Sequence, residues 1–144
     1  MTKINYEIIP GVGLEQVKIG MSIPELEAVL GKPDEIENLE DEFFDDVHEA
    51  IWSYDNFQIY PVIDMDHNEI VSIMCDHPDA SLNKVKVMRM SAPELTKHLK
   101  KCGAKTIEAD EECIECPGYG LNVMLDGGRI DLLDIEGADV FYLD

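Results

Sequence analysis

Hydrophobic positions along the chain follow two spacings, one typical of helices and one typical of strands. Helical spacing occurs twice, and each stretch begins with a Ser and has a Glu three residues later, as in a capped helix. The apolar positions of these stretches are Leu26, Val29, Leu30, Leu95, Leu99 and Cys102. Because Gly commonly ends a helix, the sequence predicts two short helices that stop at Gly31 and Gly103.

Six apolar runs bounded by turn residues predict strands, with three runs after each helix. The predicted strands are Ala50–Tyr54, Phe57–Ile63, Glu69–Cys75, Cys113–Cys116, Leu121–Asp126 and Arg129–Ile135. The Gly127-Gly128 pair is typical of a two-residue hairpin turn. Two further runs, Ile4–Ile9 and Val140–Leu143, are expected to add strands near the two ends.

The two helical stretches also resemble each other in sequence. Residues 14–26 and 82–95 share Leu, Val-Lys, Met-Ser and Pro-Glu-Leu when one residue is inserted in the second copy. We therefore expect a duplicated α+β fold, with one repeat in residues 1–79 and another in residues 80–144. Joined side by side, the repeats would form one compact unit with a continuous antiparallel sheet and both helices on one face.

The opening of the first repeat resembles the BLIP-like/SmpA-OmlA superfamily. The matching residues are Val17-Lys18-Ile19-Gly20-Met21-Ser22 and Leu30-Gly31-Lys32-Pro33. The resemblance implies a helix followed by an antiparallel sheet, and a protein-binding module without cofactors that binds through its sheet or loops. The β-lactamase inhibitory proteins of that group are similar in being tandem duplications. The second repeat departs from the motif, because Arg89 stands where the Gly would be.

No secretory signal, lipid-attachment cysteine or run of 18 apolar residues is visible in the sequence. The expectation is therefore a bacterial-type cytoplasmic protein that does not enter a membrane. Without export, reduced thiols are favoured over disulfides for the four cysteines.

Charge is distributed unequally between the repeats. The 144 residues carry a net charge of -20, and 45% of them are hydrophobic, enough to form a core. Residues 1–79 contain 19 acidic and three basic side chains, whereas residues 80–144 contain 12 and eight. This field repels nucleic acid and anionic membranes and attracts basic surfaces. It indicates a protein partner that is basic, or acidity that serves only solubility.

The acidic segment Glu35–Asp46 is the first candidate site. Its composition indicates a loop in which two Phe side chains anchor a partner while carboxylates steer a basic surface. The predicted partner-binding residues are Glu40, Asp41, Glu42, Phe43, Phe44, Asp45 and Asp46. An immunity or inhibitor protein that masks a basic toxin or enzyme would have this composition. The alternative is a solvated linker whose Phe residues cover the edge of the core.

Sheet aromatics form a further candidate surface, comprising Trp52, Tyr54 and Tyr60. Strand alternation places Trp52 and Tyr54 on one face, so both are buried or both are available to a partner. Association of copies through exposed sheet edges stays open as another alternative.

A zinc site is the alternative function. Cys113 and Cys116 have the spacing of zinc knuckles, and Cys75 and His77 could complete a tetrahedral set. If residues 113–116 form a strand, however, the two thiols point to opposite faces, which favours buried structural cysteines. Known nucleophile, metalloprotease and nucleotide-binding motifs are absent from the sequence. The sequence thus predicts a non-enzymatic protein without a cofactor.

Overall fold

A computed structural model describes residues 3–40 and 48–137. These residues form two helices, α1 (Ile23–Leu30) and α2 (Ala92–Lys101). The strands of the first part are β1 (Glu35–Glu40), β2 (His48–Ser53), β3 (Ile59–Asp64), β4 (Glu69–Cys75), β5 (Ser81–Leu82) and β6 (Val85–Lys86). The strands after α2 are β7 (Glu108–Ala109), β8 (Cys113–Cys116), β9 (Leu121–Asp126) and β10 (Arg129–Glu136).

Eight of the described strands form a single antiparallel sheet in the order β1-β2-β3-β4-β10-β9-β8-β7. Strands β5 and β6 form a separate two-stranded ribbon. The prediction of an α+β chain with a long antiparallel sheet is confirmed. Hairpins connect sequential neighbours, and the β4–β10 pairing joins the first group of strands to the second.

The β4–β10 pair has a register centred on Met74 and Asp134. These two residues are directly opposite, and the pairs on either side of them are Cys75 with Leu133 and Ile73 with Ile135. All four flanking side chains are fully buried. The middle of the sheet is therefore held by hydrophobic residues contributed equally by strands distant in sequence.

One face of the sheet carries the core, because alternate side chains along each strand point to the same face. Its members near the centre are Ile73, Cys75, Ile114, Cys116, Leu121, Val123, Leu133 and Ile135, each at most 2% exposed. Leu26 of α1 and both Leu95 and Leu99 of α2 belong to the same buried cluster. Packing of the helices thus supplies the apolar contacts that a lone sheet would lack.

Both helices begin with a complete capping box, as predicted. The Ser22 hydroxyl accepts a hydrogen bond from the Glu25 amide, and the Glu25 carboxylate accepts one from the Ser22 amide. Ser91 and Glu94 make the same pair of bonds at α2. These bonds satisfy amides that an uncapped helix leaves without partners.

Each cap is also tied to the sheet. Ser22 forms an isolated antiparallel bridge with Glu69 at the start of β4, and Ser91 forms one with Arg129 at the start of β10. Gly128, which precedes Arg129, has a positive φ of 78° in the hairpin turn and accepts a hydrogen bond from the first amide of α2. The predicted Gly-Gly turn therefore both reverses the chain and anchors a helix.

One predicted strand and one predicted loop differ from the structure. Residues 4–9 form isolated bridges, such as Glu7 with Ser81, rather than a strand. Residues 35–40, predicted to be part of an acidic loop, form strand β1 at the edge of the sheet. Glu has a low strand propensity, but pairing with β2 provides hydrogen-bond partners for the backbone of this segment. The run Val140–Leu143 lies outside the described residues.

Candidate interaction surface

The sheet ends on one side in the acidic edge strand β1. Glu35 and Glu37 are exposed there and form no ion pair with any residue that the structure describes. Between them Ile36 is 49% exposed, although it lies opposite Trp52 of β2. An edge strand has unpaired backbone groups, so β1 offers a partner carboxylates, an apolar side chain and a free strand edge together.

The predicted partner-binding segment begins where β1 ends. Glu40 is the last residue of the strand and pairs with His48, the first residue of β2. The remaining predicted contacts, Asp41, Glu42, Phe43, Phe44, Asp45 and Asp46, lie outside the described residues. The two described residues that flank this segment, Glu40 and His48, are paired at the acidic edge of the sheet.

Two of the three candidate aromatics are part of the core. Trp52 is 7% exposed and Tyr54 is 2% exposed, so neither is available to a partner. The Tyr54 hydroxyl donates a hydrogen bond of 3.0 Å to the Gly31 carbonyl oxygen, and burial raises its pKa to about 12. Tyr54 therefore fixes the end of α1 against the sheet.

The face of the sheet opposite the core, here called the outer face, is partly apolar. Its central side chains are Ile51, Tyr60, Met74, Asn122, Met124, Leu132 and Asp134. Most are half-buried, and Met124 is 41% exposed. Tyr60 donates a hydrogen bond of 3.1 Å to Asp76, and burial together with that bond raises its pKa to about 12.

A carboxyl group lies at the centre of the outer face, which the sequence reasoning missed. Oδ1 of Asp134 is buried and has no hydrogen-bond partner among the described residues. Burial, followed by the hydrogen bond and negative charge of Glu136, raises the pKa of Asp134 to about 8. The Asn122 amide donates to Glu136 at 3.2 Å. A protonated Asp134 can donate to Glu136 and relieve the repulsion between the two carboxyl groups.

The proposed zinc ligands are not brought together. Cys75 is on β4 and Cys116 is on β8, three strands away, which places them roughly 14 Å apart at the usual spacing of strands. Cys113 lies on the outer face and Cys116 in the core, as strand alternation predicts. No group of three His, Cys, Asp or Glu side chains in the described ranges is arranged to hold a metal ion.

The environments of these residues also suit structural roles. Burial raises the pKa of both Cys75 and Cys116 to about 11, as expected for thiols that pack within an apolar core. His77 stacks on Tyr6, with ring centroids 3.8 Å apart, and its Nδ1 accepts a hydrogen bond from the Asp79 amide. His77 thus packs the N-terminal segment against the end of β4.

Comparison with protein-family models and with curated proteins finds no significant match. A solved structure with a similar fold is the 1.5 Å crystal structure of an extracellular protein containing a SCP domain from Bacillus anthracis str. Ames. The TM-score is 0.53 at 12% sequence identity, and the match covers 82% of this chain and 43% of that chain. This chain therefore spans less than half of the solved protein, and the likeness concerns the fold alone.

Neither of the two described helices has the length and apolarity needed to cross a membrane.

Proposed function

We propose that the chain is a non-catalytic protein-binding module that masks a basic toxin or enzyme, in the manner of an immunity or inhibitor protein. The observation that carries this proposal is the acidic edge strand β1. Its exposed Glu35 and Glu37 have no ion-pair partner among the described residues, and the strand leads directly into the segment that contains Phe43 and Phe44. Uncompensated carboxylates beside aromatic anchors favour a partner with a basic, partly apolar surface.

The negative charge would mainly increase the rate at which the protein and its partner associate. Carboxylates concentrated on one edge of a molecule with a net charge of -20 attract a positive surface over about 8–10 Å at physiological salt. Once contact is made, apolar side chains would supply most of the affinity. This division explains why the proposed site combines acids with Phe43 and Phe44.

The fold is proposed to be a tandem duplication with both helices on one face of the sheet. The symmetric strand order, the equivalent capping boxes and the equivalent bridges of Ser22 and Ser91 support this proposal. In such a duplication one copy can keep the fold while the other acquires a binding edge. The unequal charge of the two repeats is consistent with that division.

Affinity capture with charge-reversed variants tests the function. The wild-type protein, a Glu35→Lys/Glu37→Lys variant and a Glu111→Lys/Glu112→Lys control are immobilised and exposed to an extract of the source organism. The control reverses two exposed acids near β8 and so makes the same change in net charge. Mass spectrometry identifies the bound proteins, and calorimetry with the purified partner gives the affinity.

We expect a basic protein to bind the wild type and the control, and the β1 variant to bind it at least about tenfold more weakly. Binding should also weaken as salt rises, because exposed charges are screened. Equal weakening in both variants would contradict a site on β1. Recovery of only acidic or neutral partners would overturn the proposed function.

A further inference from the structure

A shallow groove lies between the outer side of α2 and the edge strand β7. Its volume is about 410 Å³, and its lining residues are Ala92, Pro93, Thr96, Lys97, Lys100 and Ala109. The Thr96 hydroxyl donates a hydrogen bond of 2.9 Å to the Ala92 carbonyl oxygen within the helix. Because that hydroxyl already has a hydrogen-bond partner in the helix, the methyl group of Thr96 is available to line the groove. The floor of the groove is therefore largely apolar.

Two lysines give this groove a positive rim. Lys97 and Lys100 are exposed, and neither forms an ion pair with a residue in the described ranges. Uncompensated lysines are unexpected in a chain with 31 acidic and 11 basic side chains. An apolar floor with a basic rim is complementary to an acidic segment that carries large apolar side chains.

We propose that this groove binds residues 40–46 of a second copy of the chain. That segment combines five acids with Phe43 and Phe44, which matches both the charge of the rim and the apolar floor. The lysines would pair with the carboxylates, and the Phe side chains would contact Pro93, the Thr96 methyl group and Ala109. This inference does not depend on the basic partner proposed above, although both would use the same segment.

The groove cannot be filled by the chain's own segment. Strands β1 and β7 are at opposite edges of the eight-stranded sheet, seven strand spacings apart. Seven spacings amount to roughly 34 Å along the sheet. Seven residues separate Glu40 of β1 from His48 of β2, and a connection of that length spans at most about 12–14 Å out and back. Contact therefore requires another molecule.

Such a contact joins two different surfaces, because the acidic edge of one copy meets the α2 groove of another. Two reciprocal contacts give a twofold dimer, whereas a single repeated contact closes into a larger ring or continues as a chain. A basic partner bound at residues 40–46 would compete with this contact. The protein would then be associated when free and dispersed when bound.

Peptide binding and sedimentation test this inference. A fluorescent peptide of residues 38–48 is titrated with the whole protein in wild-type form, with Lys97→Glu/Lys100→Glu, and with the control Lys101→Glu/Lys105→Glu. The control makes the same charge change at exposed residues outside the groove. A second peptide with Phe43→Ala and Phe44→Ala keeps every charge. Circular dichroism verifies that each protein variant is folded.

We expect the peptide to bind the wild type and the control with similar affinity, and to bind the groove variant at least about tenfold more weakly. The Ala peptide should bind the wild-type protein at least about tenfold more weakly than the unchanged peptide does. Sedimentation at about 0.15 M salt, where long-range repulsion is screened, should show concentration-dependent assembly that only the groove variant loses. Equal weakening by both lysine variants would overturn the groove as the site. Peptide binding by a protein that stays monomeric would overturn the second copy as occupant and indicate an acidic aromatic segment of another protein. Neither result affects the capture experiment with Glu35 and Glu37.

Discussion

Asp134 is an acidic residue in a half-buried position of the sheet, and one of its carboxyl oxygens is buried. It is the sixth of the eight residues of β10 and lies opposite Met74, with a buried oxygen that has no partner in the described part of the chain. Its pKa is raised to about 8, above the ordinary value of about 4 for an unfolded chain. The folded protein therefore holds a proton that the unfolded chain has released over this range of pH.

The sign of the resulting pH dependence follows from this difference. The stabilising contribution of protonated Asp134 is complete below about pH 4 and is lost as pH rises through about 8. We expect Asp134→Asn, which resembles the protonated carboxyl, to be more stable than the wild type at pH 9 by at least about 1 kcal/mol. The difference should become small near pH 4. Urea unfolding at several pH values measures it.

Asp131→Asn is the matched control, because Asp131 lies on the same strand but is exposed. At pH 9 the gain in the free energy of unfolding should be larger for Asp134→Asn than for this control. A pH-independent effect of Asp134→Asn would show that Asp134 is ionised in the folded protein.

Both helices begin with the same type of capping interaction between residues close in sequence. They have eight and ten residues, too short to be stable in isolation, so caps and packing together maintain them. In each, one Ser hydroxyl and one Glu carboxylate satisfy amides at the N-terminus. At α1 these hydrogen bonds to Ser22 lower the pKa of Glu25.

Removal of either cap should cost a similar amount of stability. We expect Ser22→Ala and Ser91→Ala each to lower the free energy of unfolding by about 1 kcal/mol, because each leaves a helix amide without its side-chain partner. Since the caps share no partners, the double variant should lose about the sum. Urea denaturation provides the measurement, with Ser→Thr at each site as the control that keeps the hydroxyl. A loss at only one helix would contradict equivalent roles.

The whole molecule is joined by one core across the β4–β10 pair. Buried residues from both groups of strands and both helices belong to a single cluster, and the described residues show no separate core for either half. Cooperative unfolding is expected when units share buried surface in this way. The single Trp, Trp52, lies on β2 and reports on the first half.

A substitution in one half should therefore affect the other. We expect Leu95→Ala in α2 to cost about 2–5 kcal/mol by leaving a cavity. The midpoint of unfolding should decrease, and Trp52 fluorescence and circular dichroism should give the same midpoint. Leu26→Ala in α1 is the matched variant in the half that contains Trp52. Two separate transitions in Leu95→Ala, with the Trp52 midpoint unchanged, would show that the halves unfold independently.

Much of the local structure could be predicted from the sequence. The capping serines of both helices, the bounds of β4, β8 and β9, and the Gly127-Gly128 turn all agree with the structure. The opposite orientations of Cys113 and Cys116 also followed from strand alternation. The candidate site was less predictable, since residues 35–40 looked like a loop and proved to be the edge strand β1.

The sequence by itself determined features that depend on near neighbours along the chain. Helix caps, hairpin turns, strand alternation and the excess of acids in the first half are of this kind. The tertiary structure alone decided which strands are adjacent, and so buried Trp52, separated Cys75 from Cys116, and placed Asp134 at the centre of the outer face. It also placed the acidic edge and the basic groove at opposite ends of the sheet. The physical reason is that strand pairing joins residues far apart in sequence, and local patterns do not specify those partners.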